Sequence, residues 1–117
     1  MRMVVAVIRP EKLQNVKDAL AGIGVRGMTI TRVTGRGEQM GLRFTNRVGE
    51  FIVDEIEKVK VETVIEDGQV DAVIDSVREV AGTGHPGDGR LFVIPVERSV
   101  RIRAGDGANP DGETVIW

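Results

Sequence analysis

Two glycine-spaced stretches, one lysine and a pair of arginines are the residues best suited to chemistry in this chain. The first stretch is Thr83-Gly84-His85-Pro86-Gly87-Asp88-Gly89-Arg90. Three glycines within six residues let successive backbone N–H groups turn inward as an anion nest, and Arg90 adds charge. The Lys-Ser/Thr ending of a Walker A loop is absent. A plain helix-to-strand connector is the competing reading, although such connectors seldom need three glycines. Arg101 and Arg103 stand two apart in Val100-Arg101-Ile102-Arg103. On a strand, both would project from one face, where their guanidinium forks either match a polyphosphate or decorate a solvated edge. Gly35-Arg36-Gly37-Glu38-Gln39-Met40-Gly41 is the second glycine-spaced stretch. No helical pattern follows it, which removes the dinucleotide fingerprint and leaves either a ligand contact or a hinge. Lys58 stands at the mouth of the segment that follows, where it could meet an anion. Lys60 and Glu62 share its strand face and read as a solvated ion pair. His85, alone on a loop, reads as a solvated residue.

Composition narrows the classes. The chain has 117 residues, of which 41% are hydrophobic and 29% charged, an ordinary mix for one globular domain. A net charge of −2 argues against a nucleic-acid-coating protein. With no Cys, thiol nucleophiles, disulfides and Cys-ligated zinc are excluded. There is no Tyr, and the aromatics are Phe44, Phe51, Phe92 and Trp117. A single His and the two serines Ser76 and Ser99 leave little material for a Ser-His-Asp triad or a His-rich metal site. The apolar run Met3–Ile8 lies between two arginines and is too short for a signal segment or a bilayer span. A cytoplasmic protein without membrane insertion is expected.

The elements that must position these residues follow from periodicity. Residues 3–8 are continuously apolar, as a buried strand is. Pro10 pre-sets a helix start, and Leu13, Val16, Leu20 and Ile23 recur on one helical face. Residues 28–33 and 58–65 alternate as half-buried strands do. Between them, from Gly35 to about Glu55, no single period runs, and a loop of that length is usually functional. Asp67-Gly68 reads as a turn, and Val70, Val73, Ile74, Val77 and Val80 mark a second helix. Residues 91–96 form a fourth apolar strand with Phe92 as its core aromatic, and residues 100–103 a short fifth. The order βαβ, long loop, βαβ predicts an α+β, ferredoxin-like βαββαβ sandwich with a short extra C-terminal strand. Both helices would cover one sheet face. The other, rich in Val and Ile, predicts an oligomer that packs sheet faces together. The apolar end Val115-Ile116-Trp117 is expected to dock rather than hang free.

Four segments together resemble the nitrogen regulatory PII signal-transduction proteins. They are Gly35-x-Gly37-x-Gln39-x-Gly41, Val59-x-Val61-Glu62, Thr83-Gly84-x-x-Gly87-Asp88-Gly89-Arg90 and Arg101-Ile102-Arg103-x-Gly105. The resemblance covers about residues 1–105. It implies one domain over residues 1–117 that assembles as a homotrimer, with nucleotide in each cleft between subunits. The long loop, about 36–57, corresponds to the family's T-loop, which docks onto an ammonium transporter or another nitrogen-metabolism target. Residues 82–90 correspond to its B-loop, and residues 98–117 form a C-terminal segment. Carried over by position, Gly87, Gly89 and Arg90 would hold the phosphates of ATP or ADP, with Arg101 and Arg103 reaching in from a neighbouring subunit. Thr29, Gly35, Gly37, Glu62 and Val64 would line the adenine and ribose side. Arg36, Glu38, Gln39 and Asp88 fall in the same nucleotide site. Gln39 would ligate a Mg²⁺ that also binds 2-oxoglutarate, with Gly37 and Gly41 beside it and Lys58 and Arg9 at the metabolite's carboxylate. Arg47, at the loop tip, would insert into the partner, and Phe51 would take part.

Departures from the family pattern are specific. Arg36 stands where the family usually has Phe, and Glu38 where it usually has an Arg against the ATP γ-phosphate. Met40 often is Lys. A carboxylate at Glu38 repels that phosphate and is expected to pair with Arg36 or Arg43 instead. Phe51 replaces a Tyr that many members nucleotidylylate, so no such modification is expected. The implied function is non-catalytic sensing of ATP/ADP and 2-oxoglutarate, with the loop changing shape. A small Mg²⁺-dependent nucleotide hydrolase is the alternative, but no convincing general base stands near the glycine loops. An RNA-binding sheet would need more stacking aromatics than Phe92.

Overall fold

The computed structural model describes residues 1–36, 42–47, 49–53 and 55–103. Strand β1 (Arg2–Ile8) runs into a 3₁₀ turn at Pro10–Lys12 and then helix α1 (Leu13–Gly22). Strand β2 (Thr29–Gly35) precedes a two-stranded hairpin, β3 (Leu42–Asn46) and β4 (Gly49–Val53). Strand β5 (Ile56–Ile65), helix α2 (Val70–Ala81) and strand β6 (Arg90–Pro95) complete the order. The four long strands form one antiparallel sheet ordered β2-β5-β1-β6. Strand order and two helices together give the α+β, ferredoxin-like sandwich that the sequence predicts.

Alternation sets the two faces of this sheet. Val4, Ala6 and Ile8 of β1 and Val59, Val61 and Ile65 of β5 are buried against Val16 and Leu20 of α1 and Val73, Val77 and Ala81 of α2. Of these, Val16, Leu20, Val73 and Val77 are three-and-four steps read from the sequence, whereas Ala81 is not among them and Ile23, which is, stands 38% exposed at the helix end. One polar side chain, Thr63, is buried among them, and its hydroxyl donates to Gly27 O at 2.7 Å. That bond ties the approach of β2 to β5. Entry into α2 is fixed by a 3₁₀ turn at Asp67–Gln69 with a reciprocal capping box between Glu66 and Gln69.

Three expectations differ from the structure. Phe92 is not a core residue: it is 48% exposed. Register explains this, because Phe92 pairs with Val5 on the open face while Leu91 pairs with the buried Ala6. The long loop is not without regular structure, since β3 and β4 pair within it, Phe44 opposite Phe51. Strands of five residues are too short to impose a period on a twenty-residue stretch. Finally, residues 100–103 do not form the expected short strand. Ile102 is fully exposed and Val100 is 69% exposed, so the two apolar side chains that would anchor a strand bury nothing, and the segment joins neither open edge of the sheet, β2 or β6.

Candidate anion-binding site

Residues 82–89 link α2 to the edge strand β6. Gly84, Gly87 and Gly89 all have positive φ (82, 96 and 103°), conformations that L side chains rarely adopt. At Gly89 the demand is also steric. A Cβ there would lie 1.7 Å from the carbonyl oxygen of Val7, so the loop crosses β1 backbone to backbone.

Asp88 organises the loop from within. Its carboxylate accepts from the backbone N–H of Thr83 (2.7 Å) and of Gly84 (2.9 Å), from the Thr83 hydroxyl, and from Arg9 Nε (3.1 Å). The Thr83 hydroxyl in turn accepts from His85 N–H at 3.2 Å. The Thr83 hydroxyl bond, followed by the backbone N–H groups and Arg9, holds the Asp88 carboxyl far below the ordinary carboxylate range. Asp88 is therefore ionised at any physiological pH, with its charge turned onto its own loop.

Two cations converge on the same loop from neighbouring strands. Ile8 and Val59 are paired across β1 and β5, which puts Arg9 and Lys58 side by side one position further on. Arg9 spans the loop, donating Nε to Asp88 and Nη2 to Pro86 O at 2.8 Å, with its side chain only 22% exposed. Its guanidinium also fills the space that a Cβ on Gly87 would enter, 3.4 Å away. Lys58 donates Nζ to Gly87 O. Burial, and next the charge of Arg9, lower the Lys58 amine below its ordinary value, against the opposing pull of Asp88 and Glu11.

The remaining expected residues fall into separate places. Gly35 closes the neck of the long loop opposite Ile56, and a Cβ on it would meet the Lys58 stem at 3.9 Å. It therefore joins the cluster of Arg9, Lys58, Gly87, Asp88 and Gly89. Arg36 follows directly and is exposed. Thr29 pairs with Glu62 and Met3 with Val64, so Thr29, Glu62 and Val64 lie along the open sheet face rather than at the loop. Lys60 and Glu62 form the expected ion pair, at 3.6 Å. Arg90 begins β6 opposite Val7. Arg101 and Arg103 are exposed and off the sheet. Arg47 is exposed in the turn of the β3–β4 hairpin, and Phe51 lies in β4. Gly37, Glu38, Gln39, Met40, Gly41, Gly105 and the C-terminal Val115-Ile116-Trp117 lie outside the described residues. Thr83 is the participant that sequence reading left without a role. Its signal was a hydroxyl residue five positions before an Asp in a glycine loop.

A groove of about 500 Å³ runs between α2 and β6, lined by Ile74, Val77, Leu91 and Val93 among others, with Asp88 and Gly89 also in its wall. Among the described residues, no group of three or more His, Asp or Glu side chains could hold a metal, and no helix is long and apolar enough to cross a membrane.

Comparison with known proteins gives one consistent result. The family model described as nitrogen regulatory protein P-II matches residues 1–106. The nitrogen regulatory protein P-II of Microchaete diplosiphon is 48% identical over 106 residues, covering 91% of this chain and 95% of that protein. P-II 2 of Methanothermobacter thermautotrophicus is 44% identical over 106 residues, covering 91% of this chain and 92% of the relative. P-II of Azospirillum brasilense is also 44% identical over 106 residues, with 91% and 95% covered. A glycine loop closed on its own aspartate, beside two strand-borne cations, thus sits in a chain that belongs to the nitrogen regulatory protein P-II family.

Proposed function

We propose that this protein is a non-catalytic sensor that reads ATP or ADP together with 2-oxoglutarate and reports to a nitrogen-metabolism target. One observation carries the reading: Arg9 and Lys58, from adjacent strands, meet on the backbone of a loop whose three glycines have positive φ. A glycine-rich loop with flanking cations suits phosphates and carboxylates. Gly87, Gly89 and Arg90 would hold the nucleotide phosphates. Arg9 and Lys58 would take the distal carboxylate of 2-oxoglutarate. Magnesium, held by Gln39 together with the phosphates, would supply positive charge between the two anionic ligands.

The nucleotide site is completed by assembly. Phe92 and Ile94 are 48% and 46% exposed on the open sheet face, beside Met3, Val5 and Val7. Such a face supports a homotrimer packed through it. In that trimer Thr29, Glu62 and Val64 line the base and ribose, and Arg101 and Arg103 reach toward a neighbour's phosphates. The β3–β4 hairpin, with Arg47 at its turn, would dock onto an ammonium transporter or a soluble enzyme, leaving the protein cytoplasmic and only peripherally at the membrane.

Calorimetry with ATP, ADP and 2-oxoglutarate tests the reading. Saturable nucleotide binding is expected, with 2-oxoglutarate binding in the presence of Mg-ATP. No nucleotide binding at millimolar concentration overturns it. Lys58→Ala should weaken 2-oxoglutarate by about 10- to 100-fold, as for a lost hydrogen bond between charged groups, and change ADP far less. Equal losses for both ligands would give Lys58 another role.

A further inference from the structure

The two cations at the ends of β1 and β5 are already engaged. Arg9 donates to Asp88 and to Pro86 O, and Lys58 donates to Gly87 O. Among the described residues Asp88 is the one carboxylate in these contacts, and the other two acceptors are neutral carbonyls. Glu11 acts on Lys58 only through space. Among the described residues one carboxylate thus faces two positive charges, and a second carboxylate would be welcome beside them. Any such carboxylate meets Asp88 first.

We propose that Asp88 is an internal competitor for the metabolite's carboxylate: it holds Arg9 on the loop, and an incoming carboxylate must take the guanidinium from it. This rests on the reading that Arg9 and Lys58 receive 2-oxoglutarate. The exchange is chemically balanced at the loop. Asp88 has four donors, and three of them come from Thr83 and Gly84. Losing Arg9 therefore leaves Asp88 bonded, not stranded. An ionised ligand carboxylate offers two oxygens, enough to accept the Arg9 fork and the Lys58 ammonium together. A neutral amide has one acceptor oxygen and brings N–H donors against two cations, so it cannot displace Asp88. Asp88 is thus a positioning residue that sets both the threshold and the selectivity for the dicarboxylate. The exchange also frees Pro86 O and Gly87 O, so occupancy of the carboxylate site is felt in the loop proposed to hold the phosphates.

Calorimetry with 2-oxoglutarate in saturating Mg-ATP tests this on the full chain. Asp88→Asn keeps the shape of the side chain and an acceptor for the Thr83 and Gly84 amides but removes the competing charge. Binding of 2-oxoglutarate should tighten about threefold, the scale of a partly exposed ion pair. In an Arg9→Gln background the same substitution should change nothing, because no guanidinium remains to compete for. A merely structural Asp88 would give the opposite sign, since a loosened loop weakens binding. Weaker or unchanged 2-oxoglutarate binding in Asp88→Asn overturns the inference alone. Absence of 2-oxoglutarate binding by the wild type overturns the functional reading and this inference with it. A second measurement needs no variant. The Arg9 Nε–H resonance of the wild type should shift when 2-oxoglutarate is added to the Mg-ATP complex, and an unmoved resonance overturns the exchange.

Discussion

Replacing Gly89 by alanine should be among the most destabilising single-methyl additions this chain can receive. Two penalties coincide there. At φ +103°, an L side chain is strained, at about 1–2 kcal/mol. The added Cβ would also lie 1.7 Å from Val7 O and 2.8 Å from Val7 C, inside the backbone of β1. No rotamer relieves that clash, because the obstacle is main chain. The loop or the β1–β6 ladder must shift, which costs a further ~1–3 kcal/mol. Together these give about 2–5 kcal/mol, a melting temperature lower by roughly 10–20 °C for a domain of this size. Gly84→Ala is the control. Its φ is +82°, but nothing lies within 4 Å of the added Cβ, so only the backbone penalty applies. Thermal unfolding of both variants should be followed at one protein concentration, since assembly shifts apparent stability. Because Val7 pairs with Arg90, the first residue of β6, Gly89→Ala should also weaken the proposed nucleotide binding. Equal loss of stability in the two variants, or a smaller loss in Gly89→Ala, would refute the close approach as the reason for that glycine.

Two further outcomes follow from the same geometry. The Asp88 carboxyl is held below its ordinary value of 3.8, so its stabilisation is fully present above that pH and fades only as pH falls through the depressed value. Asp88→Asn should therefore flatten the acid limb of a stability–pH profile below about pH 4 while leaving its neutral slope unchanged; an identical acid limb in both proteins would show that Asp88 is not linked to folding. Phe92 lies on the open sheet face and outside the core, so Phe92→Asp should leave the secondary structure intact by circular dichroism while dissociating the proposed trimer in sedimentation. A variant that unfolds instead would place Phe92 in the subunit's own stability, and one that stays trimeric would move the interface elsewhere.

The fold was legible because its long elements carry strong periods. Residues 58–65 alternate, with Val59, Val61, Thr63 and Ile65 inward, and α2 repeats apolar residues at steps of three and four, so each of these patterns admits one buried face, whereas β1 was legible only as a short apolar strand. Phe92 shows the limit of that signal. The run Leu91–Val96 is apolar throughout, so nothing in it distinguishes the helix-covered face from the open one. Only its register against Val5 decides. The β3–β4 hairpin escaped for a different reason: five-residue strands flanked by glycine and charge carry too little pattern. At the site, the glycine spacing marked a loop whose Gly84, Gly87 and Gly89 do take positive φ, and family resemblance singled out Arg9 and Lys58, which do meet on that loop. That the two cations stand side by side is a consequence of the β1–β5 register, and that Asp88 faces inward depends on Thr83, whose hydroxyl and amide it needs.

The placement of Lys58 connects the proposed ligand site to the hairpin without requiring any long-range relay. Lys58 is paired with Val33 in the β2–β5 ladder, and Gly35 and Ile56 are the last pair of that ladder before the long loop begins. The two positions are separated by one residue along each strand, about 7 Å. A Cβ on Gly35 would lie in ordinary van der Waals contact with the Lys58 stem, 3.9 Å from it, so only a larger side chain reaches far enough to press on it. The same lysine reaches Gly87 O across the sheet. A ligand that draws Nζ away from Gly87 therefore reorients a side chain whose stem lies against the neck of the hairpin. Gly35 is permissive at this point because it lets the stem move without displacing the neck. A β-branched residue would make the neck follow the lysine directly. Hence Gly35→Val should couple 2-oxoglutarate occupancy more tightly to hairpin position, read as a larger ligand-induced change in protease cleavage between β2 and β5. No difference from wild type would mean that the ladder, and not the Lys58 stem, sets the position of the neck.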